Sequence, residues 1–385
     1  MPEILQPVSP EELRDAIGGA AAAKRNIELY GRNTKRLMAG LAAPGGVQIS
    51  TARLQGIIQY EPRDLTISVR AGTPFAELNR ELARNNQMVP LEGAYSDEGT
   101  VGGVVAANTS GPRRRLYGTA RDLVIGMTFA TVDGKLVKSG GMVVKNVAGL
   151  DMGKLMIGSF GTLAAIASVN FKVVPKPAAA RTLLFSFEDV KAAMAARDAA
   201  IGGVLGPAAV DVLNPILAAQ FSLKGFVLAL LFAGNEAVIE RSNRAASAFG
   251  TFRSLPVDEE QRFWAGLQNI TPRYLEKFRE GSVARISTTL SDCGEALASV
   301  DGPAHAHAAS GIVRGWFTRP EAASRWLAAG LKRGWKGVIE YSGEAAKPQL
   351  TLWPEPGNDF AIMKNIKHMF DPEGLLNKGR LYDHI

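Results

Sequence analysis

At 385 residues, 46% hydrophobic and 21% charged, the chain has a globular composition, which excludes a largely disordered protein, and its length suits two domains of roughly 100–200 residues each. Lys and Arg outnumber Asp and Glu by 44 to 37, a formal charge of +7. That mild excess favours anionic ligands without pointing to nucleic acid, and the nearest basic cluster is only Arg113-Arg114-Arg115.

A single cysteine, Cys293, excludes an intrachain disulfide, a cysteine zinc site and an all-cysteine iron–sulfur cluster within this chain. Met1–Leu13 lacks a basic-then-apolar signal pattern. The longest apolar run, Phe226–Ala233, falls well short of the roughly 20 residues that span a bilayer. The expectation is a cytoplasmic protein.

In chain order, Ser9-Pro10-Glu11-Glu12 predicts a capped helix bearing Leu13, Ile17 and Ala20. A strand at Ile27–Tyr30 leads into the loop Gly31-Arg32-Asn33-Thr34-Lys35. Alternation at Leu65, Ile67 and Val69 predicts a half-buried strand. Thr73-Pro74 precedes a helix carrying Phe75, Leu78 and Leu82. Two glycine-rich stretches, Glu98–Gly111 and Gly140–Gly161, flank a hairpin with its turn at Asp133-Gly134. A strand through Ala167, Val169, Phe171 and Val173 ends at Pro175-Lys176-Pro177. Beyond it, strands and helices alternate: 182–187, 189–200, 226–233, 236–249, 283–289, 312–317, 320–331 and 337–341. That order predicts an α+β domain whose sheet is covered by helices. A last helix carries Phe360, Met363, Ile366 and Phe370 and stops at Asp371-Pro372.

The stretch Gly99–Gly111 reads either as tight turns or as backbone amides brought close to a phosphate. No Gly-x-Gly-x-x-Gly follows a strand. Gly149-Leu150-Asp151-Met152-Gly153-Lys154-Leu155 is one residue too short for a P-loop and lacks its Ser/Thr.

The succession of segments is more specific. Gly31–Lys35, Gly99–Gly103, Ser110-Gly111-Pro112-Arg113-Arg114, Arg121-Asp122, Lys145–Gly149 with Asp151, and Gly158-Ser159 with Gly161-Thr162-Leu163 come in that order, and the chain ends with Phe370–Asn377. In these residues the chain resembles the FAD-linked oxidases of the vanillyl-alcohol oxidase group, and within it the FAD-binding E subunits of bacterial glycolate oxidase. The likeness covers about the first 175 residues and the tail.

The resemblance implies a PCMH-type FAD-binding domain of two α+β subdomains at 1–176. It implies a C-terminal oxidase domain at 177–385, with the 360–385 tail returning toward the flavin. By the same resemblance Gly31, Asn33, Thr34 and Lys35 form the first diphosphate loop. Thr100, Gly102, Gly103, Asn108, Ser110 and Gly111, with Tyr117 and Gly118, run from the diphosphate to the flavin ring. Gly161, Thr162 and Ile166 lie near the ribose and adenine, and Asn377 returns toward the flavin. The first loop departs from the family's Gly-Gly-Gly-Ser: Arg32 and Asn33 replace glycines. Asn tolerates the left-handed backbone that glycine would supply.

None of the four histidines, His305, His307, His368 and His384, lies in 1–176, and neither does Cys293, so FAD is expected to be non-covalent. His305-Ala306-His307 reads as a partly exposed strand whose imidazoles share a face. That placement suits two ordinary imidazoles, a metal pair, or a substrate or flavin contact. The His-x-Gly-Asp-Gly-Asn-x-His pattern of metal-using relatives is absent, and no metal is expected. Arg114 could bind a carboxylate or sit in a solvated loop, and Lys145 could face the flavin or cap a helix. Together with His307 these are the candidate substrate residues. Asp211 and Asp371 carry no spacing that demands chemistry and read as packing.

The function implied by the resemblance is that of the FAD-binding subunit of a glycolate oxidase complex. A small 2-hydroxy acid would be oxidised, with a sister flavoprotein and an iron–sulfur subunit as partners and only peripheral membrane contact through the complex. The alternatives are a stand-alone FAD-dependent 2-hydroxy acid dehydrogenase and a structural subunit without FAD. No catalytic residue is identified.

Overall fold

The computed structural model describes residues 3–44, 46–143, 150–203 and 206–382. Contacts divide the chain into two compact units. One comprises Met1–Ser110, Tyr117–Lys176 and Glu355–Ile385; the other comprises Gly111–Leu116 and Pro177–Pro354. Residues 355–385, which the sequence reading assigns to the C-terminal domain with 360–385 as its tail, thus group with the first unit. Among the described residues, no helix is long and apolar enough to cross a membrane.

Among the described residues the first unit holds a two-stranded antiparallel pair of Gln87–Met88 with Val174–Pro175 and two main sheets, as expected of two α+β subdomains. The smaller is parallel, with Glu3–Leu5, Gly46–Ser50 and Asn26–Tyr30 in that order. The larger is antiparallel, in the order Ile57–Glu61, Thr66–Arg70, Ala165–Lys172, Val124–Ala130, Leu136–Gly140. Ile67, Val69, Val169, Phe171 and Phe129 meet Phe75, Leu78 and Leu82 of helix Phe75–Ala83 and Val101, Val104 and Val105 of helix Val101–Ala107. A separate cluster joins Ala130, Ala165 and Ala167 to Leu13 and Ile17 of helix Pro10–Ala22 and to Val47 and Ile49. Thr66 and Ser68 are therefore buried too, and the strand read as half-buried is covered on both faces. Helix Pro10–Ala22 starts as its sequence dictates: the Ser9 side chain accepts from Glu12 N. The Glu12 carboxylate reaches back one residue further than a capping box requires, accepting from Val8 N.

The tail is held on this unit by buried polar bonds. Lys367 Nζ donates to Asp371 and to the carbonyls of Thr162 and Leu376. Asn377 accepts from Leu29 N at 2.8 Å and donates to Leu29 O and Phe160 O at 3.0 and 2.7 Å.

The second unit is one antiparallel sheet of eight strands. Its order is Phe252–Ser254, Ala179–Phe187, Phe226–Gly234, Ala209–Leu213, Ala304–His307, Ile312–Phe317, Ser282–Ser287, Lys336–Ser342. Leu183, Phe185, Val210, Val212, Leu230, Ala306, Val313 and Ile286 form its apolar face. Helices Val190–Gly202, Glu236–Ala246, Cys293–Ala298 and Pro320–Leu331 cover that face with Ala193, Ile239, Leu297 and Trp326. Period-two alternation then sends Asp211, His305, His307 and Arg314 to the opposite face.

Candidate functional site

In the first unit, the strand Asn26–Tyr30 delivers the loop Gly31–Lys35. Asn33 adopts φ +57°, the left-handed region that Asn tolerates. Ser50 Oγ donates to Gly31 O, fixing the entry to the loop. Among the described residues, the amides of Arg32, Asn33, Thr34 and Lys35 have no hydrogen-bond partner. Successive unpaired amides around a left-handed residue form an anion-binding concavity. Lys35 supplies a cation: its side chain is buried and its Nζ donates to Tyr95 O at 3.1 Å. Burial pulls the ammonium down to about 8, against the nearby Glu98 carboxylate. From the tail, the Arg380 guanidinium, lowered by burial to about 10, donates to Lys35 O and Arg36 O and lies over the Phe160 ring.

Within the glycine-rich stretch 99–111, Val101–Ala107 form a short helix, and Gly102 serves packing. Thr100 is the N-cap and accepts from Gly103 N. Gly102 N donates to Ala71 O at 2.8 Å, Val101 N to Thr73 O and Val104 N to Thr100 O. The amides expected to face a phosphate are thus spent inside the protein. A Cβ at Gly102 would lie 2.9 Å from the Ala71 Cβ, so glycine there lets the helix close on the strand. A Cβ at Gly31 would overlap Thr100 Oγ1, which brings the two expected cofactor segments together. Asn108 ends the helix at φ +48°. The neighbouring Thr109 Oγ1 is buried without a partner, an open hydrogen-bonding position beside Ser110.

Gly161 (φ +71°) and Thr162 lie in the loop held by Asn377. The Asn377 amide is fully occupied by backbone, and a Cβ at Gly161 would come within 2.9 Å of its Nδ2. Ile166 is buried in strand Ala165–Lys172. Gly118 (φ +80°) belongs to the first unit with Tyr117, whereas Gly111 and Arg114 belong to the second. Lys145 lies outside the described residues. The sequence boundary left every histidine outside the FAD domain, but contacts place His368 in the first unit, exposed on helix Phe360–Phe370.

In the second unit, the strand register assembles a row of charges. Asp211 pairs across the ladder with His307, His305 with Arg314, and Arg314 with Arg285. The expectation of a partly exposed strand at His305–His307 fails: the two side chains are 5% and 3% exposed. His307 Nδ1 lies 2.9 Å from Asp211 Oδ1, and Arg314 Nη1 lies 2.8 Å from His307 Nε2. Arg314 Nε donates to Glu340 Oε2 at 2.8 Å. Burial and the charges of Arg314 and Arg114 hold His307 well below the usual imidazole range. Burial and the adjacent His307 push His305 down to about 3. Burial raises the Asp211 carboxyl to about 7, opposed by His305 and Arg314. For Glu340, burial is outweighed by Arg314 and Arg285, and its pKa falls below the usual carboxylate value. Asp211 is the residue sequence reasoning passed over. The available signal was an acid inside the apolar strand Ala209–Leu213, since acids are almost never buried unless paired.

Residues 2–140 match a family model described as FAD binding domain, and residues 347–381 match one described as FAD linked oxidases, C-terminal domain. These two matches are what the chain shares with the FAD-linked oxidases. Its cofactor is FAD, and the loop 31–35, with four unpaired amides and a buried lysine, fits the diphosphate of that molecule. The chain is 38% identical to the glycolate oxidase subunit GlcE of Escherichia coli over 175 residues, covering 45% of this chain and 49% of that protein. It is 30% identical to a D-lactate dehydrogenase of Anaerostipes hadrus, covering 49% and 40% of the two chains. It is 26% identical to a D-2-hydroxyglutarate dehydrogenase of Xanthomonas citri pv. viticola, covering 99% and 89%. The chain thus spans about half the length, or less, of the first curated relatives it matches. Among solved structures, a 4-ethylphenol oxidase from Gulosibacter chungangensis superposes with TM-score 0.73 at 14% identity, covering 98% of this chain and 88% of that one. An alkyldihydroxyacetonephosphate synthase gives 0.72 at 16%, covering 97% and 76%. These likenesses establish the fold.

Proposed function

We propose that this chain is the FAD-binding subunit of a complex that oxidises a small 2-hydroxy acid, with glycolate the first candidate. The observation that carries the reading is the loop of unpaired amides at Arg32–Lys35 beside the buried Lys35 ammonium. Relatives named as glycolate oxidase subunits and as D-lactate and D-2-hydroxyglutarate dehydrogenases support the substrate class.

In this reading residues 1–176 form the FAD domain and 177–385 the oxidase domain with its returning tail. FAD is held without a covalent bond and supplies a two-electron acceptor. The chain's own residues bind and shape. Lys35 and the amides of residues 32–35 neutralise the diphosphate. Gly31, Thr100, Gly102 and Gly103 form the wall beside it by allowing close backbone approach. Asn108, Ser110, Gly111, Tyr117 and Gly118 continue toward the flavin ring, and Gly161, Thr162 and Ile166 toward the ribose and adenine. Asn377 braces the loop that carries Gly161. Arg114, Lys145 and His307 serve the substrate. A sister flavoprotein and an iron–sulfur subunit complete the electron path, and the complex works on the cytoplasmic side of the membrane, touching it only peripherally.

The row Asp211–His307–Arg314–Glu340 favours a second reading, in which the chain handles substrate by itself. The visible spectrum of the purified chain, before and after glycolate, tests both. An oxidised-flavin band that persists until partner subunits are added is the expected result. Bleaching by glycolate alone gives the second reading. A chain that stays colourless after FAD is added overturns both.

A further inference from the structure

The C-terminal tail brings a second cation to the loop that fits the diphosphate. Residues 377–380 run beside residues 40–43: Ala43 N donates to Lys378 O at 2.7 Å and Gly40 N to Arg380 O at 3.0 Å. A Cβ at Gly40 would collide with Gly379 O, so glycine there lets the two segments meet. Asn377 at φ +42° and Gly379 at φ +94° turn the tail, and Arg380 N closes the turn on Asn377 O at 3.1 Å. Backbone therefore fixes where Arg380 stands before its side chain makes any contact.

The side chain then reaches the end of the loop. Arg380 Nη2 donates to Lys35 O and Nη1 to Arg36 O, each at 3.4 Å, and the guanidinium lies 5.6 Å from the centre of the Phe160 ring. At the other end Ser50 Oγ donates to Gly31 O. The loop is gripped through its carbonyls at entry and exit, which leaves the amides of Arg32, Asn33, Thr34 and Lys35 free.

These contacts do not satisfy Arg380. A guanidinium has five N–H donors, and only two are used here, both in long bonds. Among the described residues, no carboxylate forms an ion pair with Arg380 or with Lys35. The acid that acts on Arg380, Glu28, already accepts from Gln48 Nε2 at 2.7 Å, and the acid that acts on Lys35, Glu98, is exposed. An enclosed charge is costly until an opposite charge meets it. Burial brings the guanidinium down to about 10, so it stays charged through the neutral range. A diphosphate at the four free amides supplies the opposite charge that both cations lack.

We propose that Arg380 is a positioning residue of the cofactor site, which holds the exit of the loop and adds a positive charge to that of Lys35 where the FAD diphosphate binds. The tail is then part of the site, and by linkage its docking and the binding of FAD strengthen each other. The inference rests on the assignment of the diphosphate to the loop 31–35 and extends that site to a residue of the C-terminal tail.

The test uses the full-length chain, stripped of flavin and titrated with FAD. Arg380→Met should weaken binding about tenfold or more, the worth of one hydrogen bond to a charged group. Arg380→Lys keeps the charge but cannot bridge two carbonyls, and should recover part of the loss. Salt screens the attraction between charges. Affinity should therefore fall with added NaCl in the unaltered chain and in Arg380→Lys, and less steeply in Arg380→Met. A merely structural role would lower affinity without changing that slope. In the unaltered chain, FAD should also slow hydrogen exchange at the tail amides 377–381. That readout needs no variant and stands if a substitution fails to fold. Undiminished affinity in Arg380→Met, one salt slope for all three proteins, or tail exchange indifferent to FAD would overturn the role of Arg380. An unaltered chain that takes up no FAD fails in a different way, because it removes the cofactor site itself.

Discussion

Lys367 Nζ lies 2.6 Å from Asp371 Oδ2, one helical turn further on, and both side chains are buried. The pair closes the C-terminal tail onto the first unit. Lys367 also donates to Thr162 O and Leu376 O, while Asp371 accepts from Leu375 N and Leu376 N. Every charge is therefore met by backbone as well as by its partner. Removing one member leaves the other buried and uncompensated, at a cost of about 3–5 kcal/mol. Lys367→Met should lower the urea midpoint by that measure without changing the slope, and the tail should become the first site of limited proteolysis. An unchanged midpoint would mean that the pair contributes nothing net.

Much of this architecture was legible in the sequence because local pattern and tertiary role agree. The strand Ile312–Phe317 and the helix Pro320–Leu331 have the bounds that alternation, Pro and helical spacing predict. The strand Ala209–Leu213 escaped because its five residues are all buried and include an acid. The helix Val101–Ala107 read as a glycine loop because Gly102 and Gly103 mask the apolar spacing of Val101, Val104 and Val105. What selects glycine at 102 is Ala71, thirty-one positions upstream. Of the site, the resemblance gave the loop Gly31–Lys35. The row joins Asp211, His305, His307, Arg314 and Arg285 by the register of four neighbouring strands, with Glu340 reaching Arg314 from the strand beyond, and no local spacing encodes which strands are neighbours.

The close approach of Gly31 to Thr100 carries a prediction for flavin retention. A methyl at Gly31 would overlap the Thr100 hydroxyl. Gly31→Ala should therefore displace the loop and lose most of its bound flavin, measured as the ratio of visible to ultraviolet absorbance. Adding Thr100→Ala removes the atoms in closest contact and should restore part of it. Thr100→Ala alone loses an N-cap, worth about 1 kcal/mol, and should retain flavin. Full flavin in Gly31→Ala would place the diphosphate elsewhere.

Lys35 links flavin affinity to pH. Burial lowers its ammonium to about 8 in the free protein. A diphosphate beside it raises that value, so binding above pH 8 takes up a proton. Affinity for FAD should then fall as pH rises through 8 and beyond, by up to about tenfold per pH unit. Lys35→Met should bind FAD more weakly at pH 7 and show no such slope. Titrations from pH 7 to 9 with both proteins check this, and parallel curves would remove Lys35 from the cofactor site.

The buried row also sets how stability varies with acid, and two variants should move it in opposite directions. The folded His305 has its pKa near 3 and His307 lies well below the ordinary imidazole, so neither is protonated in the native state at pH 5. Both are protonated in the unfolded chain below about 6.5. Asp211 behaves inversely: raised to about 7, it holds a proton in the native state that the unfolded chain has released above about 4. Between pH 4 and 6.5 these groups leave the unfolded state one proton ahead. Stability should fall on acidification by roughly 1.4 kcal/mol per pH unit from this source. His305→Phe removes one unfolded-state proton and should flatten the slope. Asp211→Asn removes the compensating native-state proton and should about double it, while relieving the buried carboxylate above pH 7. Urea denaturation of the three proteins from pH 4 to 8 reads this directly. Equal slopes in all three would mean that Asp211 and His305 titrate as solvent-exposed groups do.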